Sequence, residues 1–378
     1  MLIKNCKIIL EDHIEEGSVL IQNGKIQSIY SLNENDETII DGKGLYLSPG
    51  FIDIHIHGAG GFDTMDGSYE ALNTISKTIA KNGTTSFLPT TMTCDSEDIK
   101  KALSAICDAK DHGTDGAEIL GTHLEGPFIN PAMIGAQNPN YIKQPSIKEF
   151  ESIVGAHNHQ VTSVTLAPEM DGAPDLIKYL VDNNINVSIG HSAATYEETI
   201  QAIHLGLSHS THLFNAMSGF HHREPGVVGA IFDSEITTEF IGDGIHATYP
   251  TLRVAIKQKG TDKIMLVSDA MRACCMPDGL YSLGGQDVYV ANGQANLKNG
   301  ALAGSILTLI QAVKNMHDNT TLPLYEIIKM ASYNPAKYCG VDHRKGLIKE
   351  GYDADLVLFD ESIEIKYTIV GGKLVYEN

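Results

Sequence analysis

Eight apolar runs separated by stretches of helical texture constrain the middle of this chain more than any other feature. They are FIDIHIHG (51–58), TTSFLPT (84–90), EILGTHLEG (118–126), SVTLAP (163–168), NVSIGHS (186–192), HSTHLFNA (209–216), EFIGDG (239–244) and KIMLVSDA (263–270). Each has the length of a strand, and amphipathic segments such as SYEALNTISKTIAKNG and TYEETIQAIHLG lie between several of them. Eight strands alternating with helices match a (β/α)8 barrel, an α/β fold whose active site sits at the C-terminal strand ends. A doubly wound open sheet is the competing arrangement, but no GxGxxG follows the first run.

The two ends have another texture. SVLIQNGKIQSI reads as a hairpin about Asn23-Gly24, TIIDGKGLYL as a second about Asp41-Gly42, and IEIKYTIVGGKLVYEN as a third about Gly371-Gly372. The termini are therefore expected to combine into one small β-sandwich domain, residues 1–50 with 346–378, beside a barrel over 51–345.

Charge excludes some partners. With 27 Lys+Arg against 47 Asp+Glu the net charge is −20, which gives no broad attraction for nucleic acid or an anionic membrane. Charges interrupt the short apolar stretch of MLIKNCKIILEDH, so it does not read as a secretory signal, and no run is long enough to span a bilayer. The six cysteines are scattered, with Cys274 and Cys275 adjacent and no CxxC, which suits reduced thiols and a cytoplasmic location.

Polar residues gather where the strands should end. His55 and His57 are two apart on the first strand and so face one side of it. His123 and Glu125 follow on the third, His191 on the fifth, His212 on the sixth, Asp243 and His246 on the seventh and Asp269 on the eighth. Burying such groups unpaired costs several kcal/mol each. A hydrogen-bonded structural network satisfies some of them; a mixed imidazole–carboxylate metal centre explains most of them together.

The same residues resemble a family. HxH on strand one, single histidines on strands five and six and Asp on strand eight are the amidohydrolase superfamily pattern. HLEGPF (123–128), GHS (190–192), THLFNAM (211–217), HHREPG (221–226), DGIH (243–246), SDAMRA (268–273) and LAGS (302–305) are similar, within that superfamily, to the N-acetylglucosamine-6-phosphate deacetylase family. The resemblance implies a TIM barrel of the metal-dependent hydrolase type. It implies hydrolysis of the acetamide of N-acetyl-D-glucosamine 6-phosphate to D-glucosamine 6-phosphate and acetate, in amino-sugar catabolism and cell-wall recycling. It also implies Glu125, His191 and His212 as principal metal ligands, with His55 and His57 completing a second site and Glu125 bridging. One or two divalent ions per chain follow, and an all-N/O donor set fits Zn²⁺ or Fe²⁺. Other superfamily members bridge with a carboxylated lysine on strand four, but SVTLAP has none.

The resemblance further assigns Asp269 as the acid/base. It would accept a proton from a water that the metal acidifies, then protonate the departing amine. Arg223, with His246, is assigned to the phosphate and sugar hydroxyls, Asn215 and Ala216 to the same ligand, and Leu302, Ala303 and Gly304 to the length of the sugar. Ala136 and Gln137 stand where some members have Gly-x-His, and Gln137 cannot titrate. Family members complete the phosphate site from a neighbouring subunit, which implies a homodimer. Two other classes compete. One is a different amidohydrolase, such as a cyclic-amide hydrolase or adenine deaminase, against which HHREPG and THLFNAM speak. The other is a non-catalytic metal- or sugar-sensing protein, which would not need Asp269. The run NENDE (33–37) reads as solvated surface, and Cys274-Cys275 as loop thiols near the site entrance.

Overall fold

Strands that are apolar at every position are stable only where both faces are covered, which is the condition inside a parallel sheet wrapped by helices. In the computed structural model, which describes residues 1–30 and 38–378, Phe51–Ile56 and Thr84–Thr91 are buried throughout. The run 33–37 lies outside the described residues. The barrel strands are β1 (Phe51–Ile56), β2 (Thr84–Thr91), β3 (Thr122–Glu125), β4 (Val161–Leu166), β5 (Asn186–Ile189), β6 (His209–Ser210), β7 (Thr237–Ile241) and β8 (Ile264–Val267). Each pairs in parallel with the next, from Phe51 against Thr84 round to Glu239 against Met265. An Ile56–Ala270 bridge and the bond from Asp269 N to His55 O, at 2.9 Å, close the ring between β8 and β1. The eight expected strands are present in the expected order.

The helices cover this ring through one apolar face each. Tyr69–Ala80 begins at Ser68, whose hydroxyl accepts from Ala71 N, and it buries Leu72, Ile75 and Ile79. Each such side chain contributes roughly 1.5–3 kcal/mol over an exposed one. Tyr196–His204 starts in a capping box between Thr195 and Glu198. Among the described residues no helix is long and apolar enough to cross a membrane.

Two strand ends fall short of their sequence expectation. The run 209–216 pairs only at His209–Ser210, and 186–192 stops at Ile189. The cause is local: His212 and His191 have φ of +27° and +49°, a left-handed backbone that cannot continue a ladder.

The termini do build one β domain, a single sheet of eight strands. Its main path runs Lys373–Glu377, Ile365–Val370, Leu356–Phe359, Tyr46–Pro49, Leu2–Ile9, Ile14–Gln22 and Lys25–Ile29. The hairpins about Asn23-Gly24 and Gly371-Gly372 form as expected. The one about Asp41-Gly42 does not. Ile39–Asp41 and Tyr46–Pro49 both pair in parallel with Leu2–Ile9 instead of with each other. Gly42 N and Gly44 N bond to Lys4 O and Asn5 O, so this segment crosses over a bulge in the first strand. A Cβ on Gly42 would stand 2.3 Å from Cys6 Sγ, so the glycine serves close approach rather than a tight turn.

An ion cluster locks this domain to the base of the barrel. Buried Lys345 binds Asp355 and, at 2.7 Å, Glu118, while Arg344 reaches Glu118 at 2.7 Å and Asp353 at 2.6 Å. Beyond β8, Gly279–Leu283, Gln286–Ala291 and Gln294–Leu297 form a three-stranded antiparallel sheet, an insert between the barrel strand and the 302–305 strip.

Candidate metal centre

The C-terminal ends of the strands converge on a cavity of about 270 Å³ lined by His57, Glu125, His191, His212, His246 and Asp269 among others. Within it, Glu125 Oε1, His191 Nε2 and His212 Nε2 stand 3.2 Å from one another on all three sides. Two donors bound to one tetrahedral ion at about 2.0–2.1 Å lie about 3.3–3.4 Å apart, so this triangle has the dimensions of a coordination face. A second group shares Glu125. His57 Nε2 lies 3.3 Å from Glu125 Oε2 and 3.3 Å from Asp269 Oδ1; His55 Nε2 lies 3.6 Å from Glu125 Oε1 and 3.5 Å from Asp269 Oδ1.

The imidazoles are turned to present Nε2 inwards. His191 Nδ1 donates to Met133 O at 2.8 Å, His57 Nδ1 to Thr90 O at 3.3 Å and His55 Nδ1 to Glu239 Oε2 at 2.9 Å. Carbonyl and carboxylate oxygens only accept, so each Nδ1 carries a proton, and Nε2 is the nitrogen each ring turns to the centre, with a lone pair there once any proton on it is displaced. Buried His55 Nε2 has no hydrogen-bond partner. These are the marks of residues shaped for a divalent cation.

The local charge gives the same answer. Glu125, Asp269 and Glu239 are all buried, and among the described residues none that lines the cavity is a lysine or arginine. Burial raises Glu125, but His55, His191 and His212 outweigh it and hold its carboxyl well below the usual range. Burial lowers His57, yet Asp269 and Glu125 take it to about 9, a proton that a metal ion would replace. Asp269 is raised by burial and lowered more by His55 and His57, so it is ionised.

Backbone strain concentrates here. His191, His212 and Asp269 all have positive φ, at +49°, +27° and +48°. Such conformations cost of order 1–3 kcal/mol each and persist where the surroundings hold them for function. Gly304, with φ +59°, lets the 302–305 strip press on Asp269, since a Cβ there would stand 2.9 Å from Asp269 O.

Comparison with known proteins decides the class. The family model described as "Amidohydrolase family" matches residues 46–375. The chain belongs to the amidohydrolase family. This amidohydrolase is 41% identical over 377 residues to the N-acetylglucosamine-6-phosphate deacetylase of Lysinibacillus sphaericus, covering 99% of this chain and 97% of the relative. It is 40% identical to the Bacillus subtilis (strain 168) enzyme of that name, covering 100% and 97%. Among solved structures it resembles the Pasteurella multocida deacetylase with a TM-score of 0.94 at 35% identity, covering 100% and 99%. It also resembles a variant of the Mycobacterium smegmatis enzyme in complex with N-acetyl-D-glucosamine-6-phosphate, with a TM-score of 0.93 at 28% identity, covering 99% of each chain.

In this amidohydrolase, His55, His57, Glu125, His191, His212 and Asp269 come together as the sequence suggested. Ala136, Gln137, Asn215, Ala216, His246, Leu302 and Gly304 line the same cavity. Ala303 is buried behind its two neighbours in the apolar cluster beneath the antiparallel insert. Gln137 donates to Glu125 Oε2 and accepts from Thr93 N, both at 2.8 Å, so it steadies the Glu125 carboxylate. Asp243 accepts from His246 N at 2.9 Å and meets His246 Nδ1 at 2.7 Å, which leaves Nε2 free for a ligand.

Three placements differ from simple strand-end reasoning. Buried His123 bonds Thr165 Oγ1 at 2.7 Å and is lowered to about 3 by burial, helped by His55; it is a neutral strut below the centre. Arg223 is exposed, with Nη1 2.7 Å from His222 Nε2, and lines a separate groove with Tyr196 and Glu197 instead of the cavity. Cys274 and Cys275, with their sulfurs 3.8 Å apart, are not among the cavity-lining residues. Sequence reasoning missed two buried carboxylates. Asp53 in β1 accepts from Ser268 N at 3.2 Å and is raised by burial to about 7, and Glu239 in β7 backs His55. The only signal was an acidic residue inside an apolar run.

Proposed function

We infer that this amidohydrolase hydrolyses the acetamide of N-acetyl-D-glucosamine 6-phosphate to D-glucosamine 6-phosphate and acetate. The observation that carries the reading is the carboxylate Glu125 shared by two sets of inward-facing imidazole nitrogens, in a chain that matches deacetylases of this substrate over nearly its full length. Glu125, His191 and His212 would hold one ion, and His55, His57 and Glu125 a second; Zn²⁺ and Fe²⁺ both suit the donors. When bound, such an ion acidifies water and polarises the acetyl carbonyl.

The chain's own groups do the rest. Asp269, ionised and at the cavity wall, takes the proton of the attacking water. It then returns that proton to the amine, which cannot leave as an anion. His246, fixed by Asp243, and the Asn215–Ala216 turn face the sugar hydroxyls. Leu302, Ala303 and Gly304 form the strip along the ring, opposite Ala136 and Gln137. The phosphate is assigned to Arg223 with His246, completed by a neighbouring subunit of a homodimer. Charge supports this: a chain of net charge −20, whose cavity lining brings no lysine or arginine among the described residues, needs cations from beyond that lining. A cytoplasmic role in amino-sugar catabolism and cell-wall recycling fits six free cysteines.

The test combines acetate release from N-acetyl-D-glucosamine 6-phosphate with elemental analysis of the same preparation. The wild type should take up to two ions per chain, and the double change His55→Gln with His57→Asn should reduce this to about one. Metal-loaded protein that releases no acetate refutes the activity; a wild type that never exceeds one ion refutes the second site.

A further inference from the structure

Glu239 touches ligands on both sides of the centre, and neither the proposed chemistry nor the substrate uses it. Its carboxylate is buried within β7. One oxygen, Oε2, accepts from His55 Nδ1 and from the backbone N–H of His212, both at 2.9 Å. The other, Oε1, lies 3.4 Å from His209 Nε2, whose Nδ1 meets Thr237 Oγ1 at 2.7 Å. The backbone takes part too, since Leu213 N donates to Glu239 O at 3.1 Å. The strained turn at His212 is therefore bonded twice to this single residue.

A buried carboxylate is costly, and here a neutral amide has an equivalent set of partners. Glutamine at 239 would accept with its oxygen from His55 Nδ1 and His212 N, and would donate with its nitrogen to His209 Nε2. Packing and hydrogen bonding therefore do not require the charge. What the charge changes is His55: a carboxylate on Nδ1–H makes Nε2 a stronger donor and fixes its tautomer. Orphaned His55 Nε2 points at Glu125 and Asp269, where that donor strength is felt.

We propose that Glu239 is a positioning residue whose charge sets how tightly the His55/His57 side of the centre holds a divalent ion, while its Oε2 pins the turn that carries His212. The proposal rests on the reading that His55 and His57 bind an ion. It goes beyond that reading by assigning the affinity of one site to a residue that ligates neither ion.

The experiment titrates wild type and Glu239→Gln with buffered free Zn²⁺ and counts ions per chain, with circular dichroism to confirm the fold. The expected result is selective: the weaker ion of Glu239→Gln needs about 10–100-fold more free Zn²⁺ for half-occupancy, while the ion at His191 and His212 barely moves. With both sites saturated, kcat should fall and KM should hold, because the substrate's contacts are untouched. Equal binding of both ions by the two proteins overturns the proposal, and so does equal weakening of both sites. Should Glu239→Gln fail to fold, nitrogen-15 NMR of the zinc-loaded wild type decides. A slowly exchanging Nδ1–H of His55, assigned by its loss in His55→Gln, supports the proposal, and an Nε2–H tautomer overturns it. A wild type that takes one ion only refutes the two-ion reading, and the proposal falls with it, whereas equal binding of two ions by both proteins refutes the proposal alone.

Discussion

Replacing Asp269 with asparagine isolates the proton route from everything else this residue does. Its Oδ1 lies 3.3 Å from His57 Nε2 and 3.5 Å from His55 Nε2, and its backbone sits at φ +48°. Asparagine tolerates that left-handed conformation better than most residues, so Asp269→Asn keeps shape and place. What it loses is a buried carboxylate held ionised by two imidazoles, the group able to take a proton from water and return it to the amine. Loss of a general acid–base group costs about 10²–10⁴-fold, or about 2.7–5.4 kcal/mol in the barrier. The assay is initial-rate acetate release over a range of substrate concentrations, with ions per chain counted on the same sample. Both kcat and kcat/KM should fall together with KM little changed, since the interaction matters in the transition state. Asp269 also faces the second set of ligands, so loss of an ion is the rival explanation, and comparison at full occupancy removes it. A fully loaded variant within about threefold of the wild-type rate would refute the assignment, because no general acid–base step is that small.

Arg223→Ala should lower kcat/KM on the 6-phosphate by roughly 10–150-fold, the value of a charge-assisted bond worth about 1.5–3 kcal/mol. The unphosphorylated sugar should be nearly unaffected, and equal losses on both would make Arg223 a structural residue. Lys345→Met leaves buried Asp355 without its cation, at about 3–5 kcal/mol. At an unfolding entropy of about 2.1 cal/mol/K per residue, calorimetry should find Tm lower by roughly 4–6 °C. Burial already raises the Asp355 carboxyl despite Lys345, and losing that cation raises it further above its unfolded value. The folded variant then binds a proton more tightly than the unfolded chain, so its deficit should shrink as pH falls from about 8 towards about 5. Cys275 is brought down to about 7 by the Cys274 thiol, against burial and with help from Asn82, whereas burial takes Cys6 and Cys339 to about 12. Iodoacetamide near pH 7.5 should label Cys275 first by peptide mass mapping, without loss of activity; prior labelling of Cys6 would contradict this ordering.

What was legible in the sequence follows from which interactions are local. Runs such as FIDIHIHG announce themselves because a strand buried on both faces tolerates few polar residues, so His55 and His57 stand out. Asn23-Gly24 was legible because its turn chemistry and its pairing agree. Asp41-Gly42 has the same chemistry, but its neighbours pair with Leu2–Ile9, a partner some forty positions away that no turn residue encodes. The insert at 279–297 was legible in principle, since Gly284-Gly285 and Asn292-Gly293 are hairpin signals between alternating residues. Glu239 was not, because its meaning depends on β7 standing one strand removed from β1, with β8 between them, a neighbourhood set only by closure of the ring. Arg223 was singled out for its charge, and its distance from the cavity lining is a matter of loop path, which composition does not carry.

Tyr46–Pro49 has Leu356–Phe359 as its antiparallel neighbour, so the sheet of the β domain joins stretches some three hundred positions apart. During synthesis, at about 5–20 residues per second, the early strands emerge long before their late partners exist. For that interval Tyr46–Pro49 presents an open edge to other nascent chains, the kind of exposure that leads to wrong pairings between molecules. A chain cut short before Leu356 would keep His55, His57, Glu125, His191, His212 and Asp269 yet leave that edge unpaired. Loss of the last strands should therefore show first as aggregation, and only secondarily as lost chemistry.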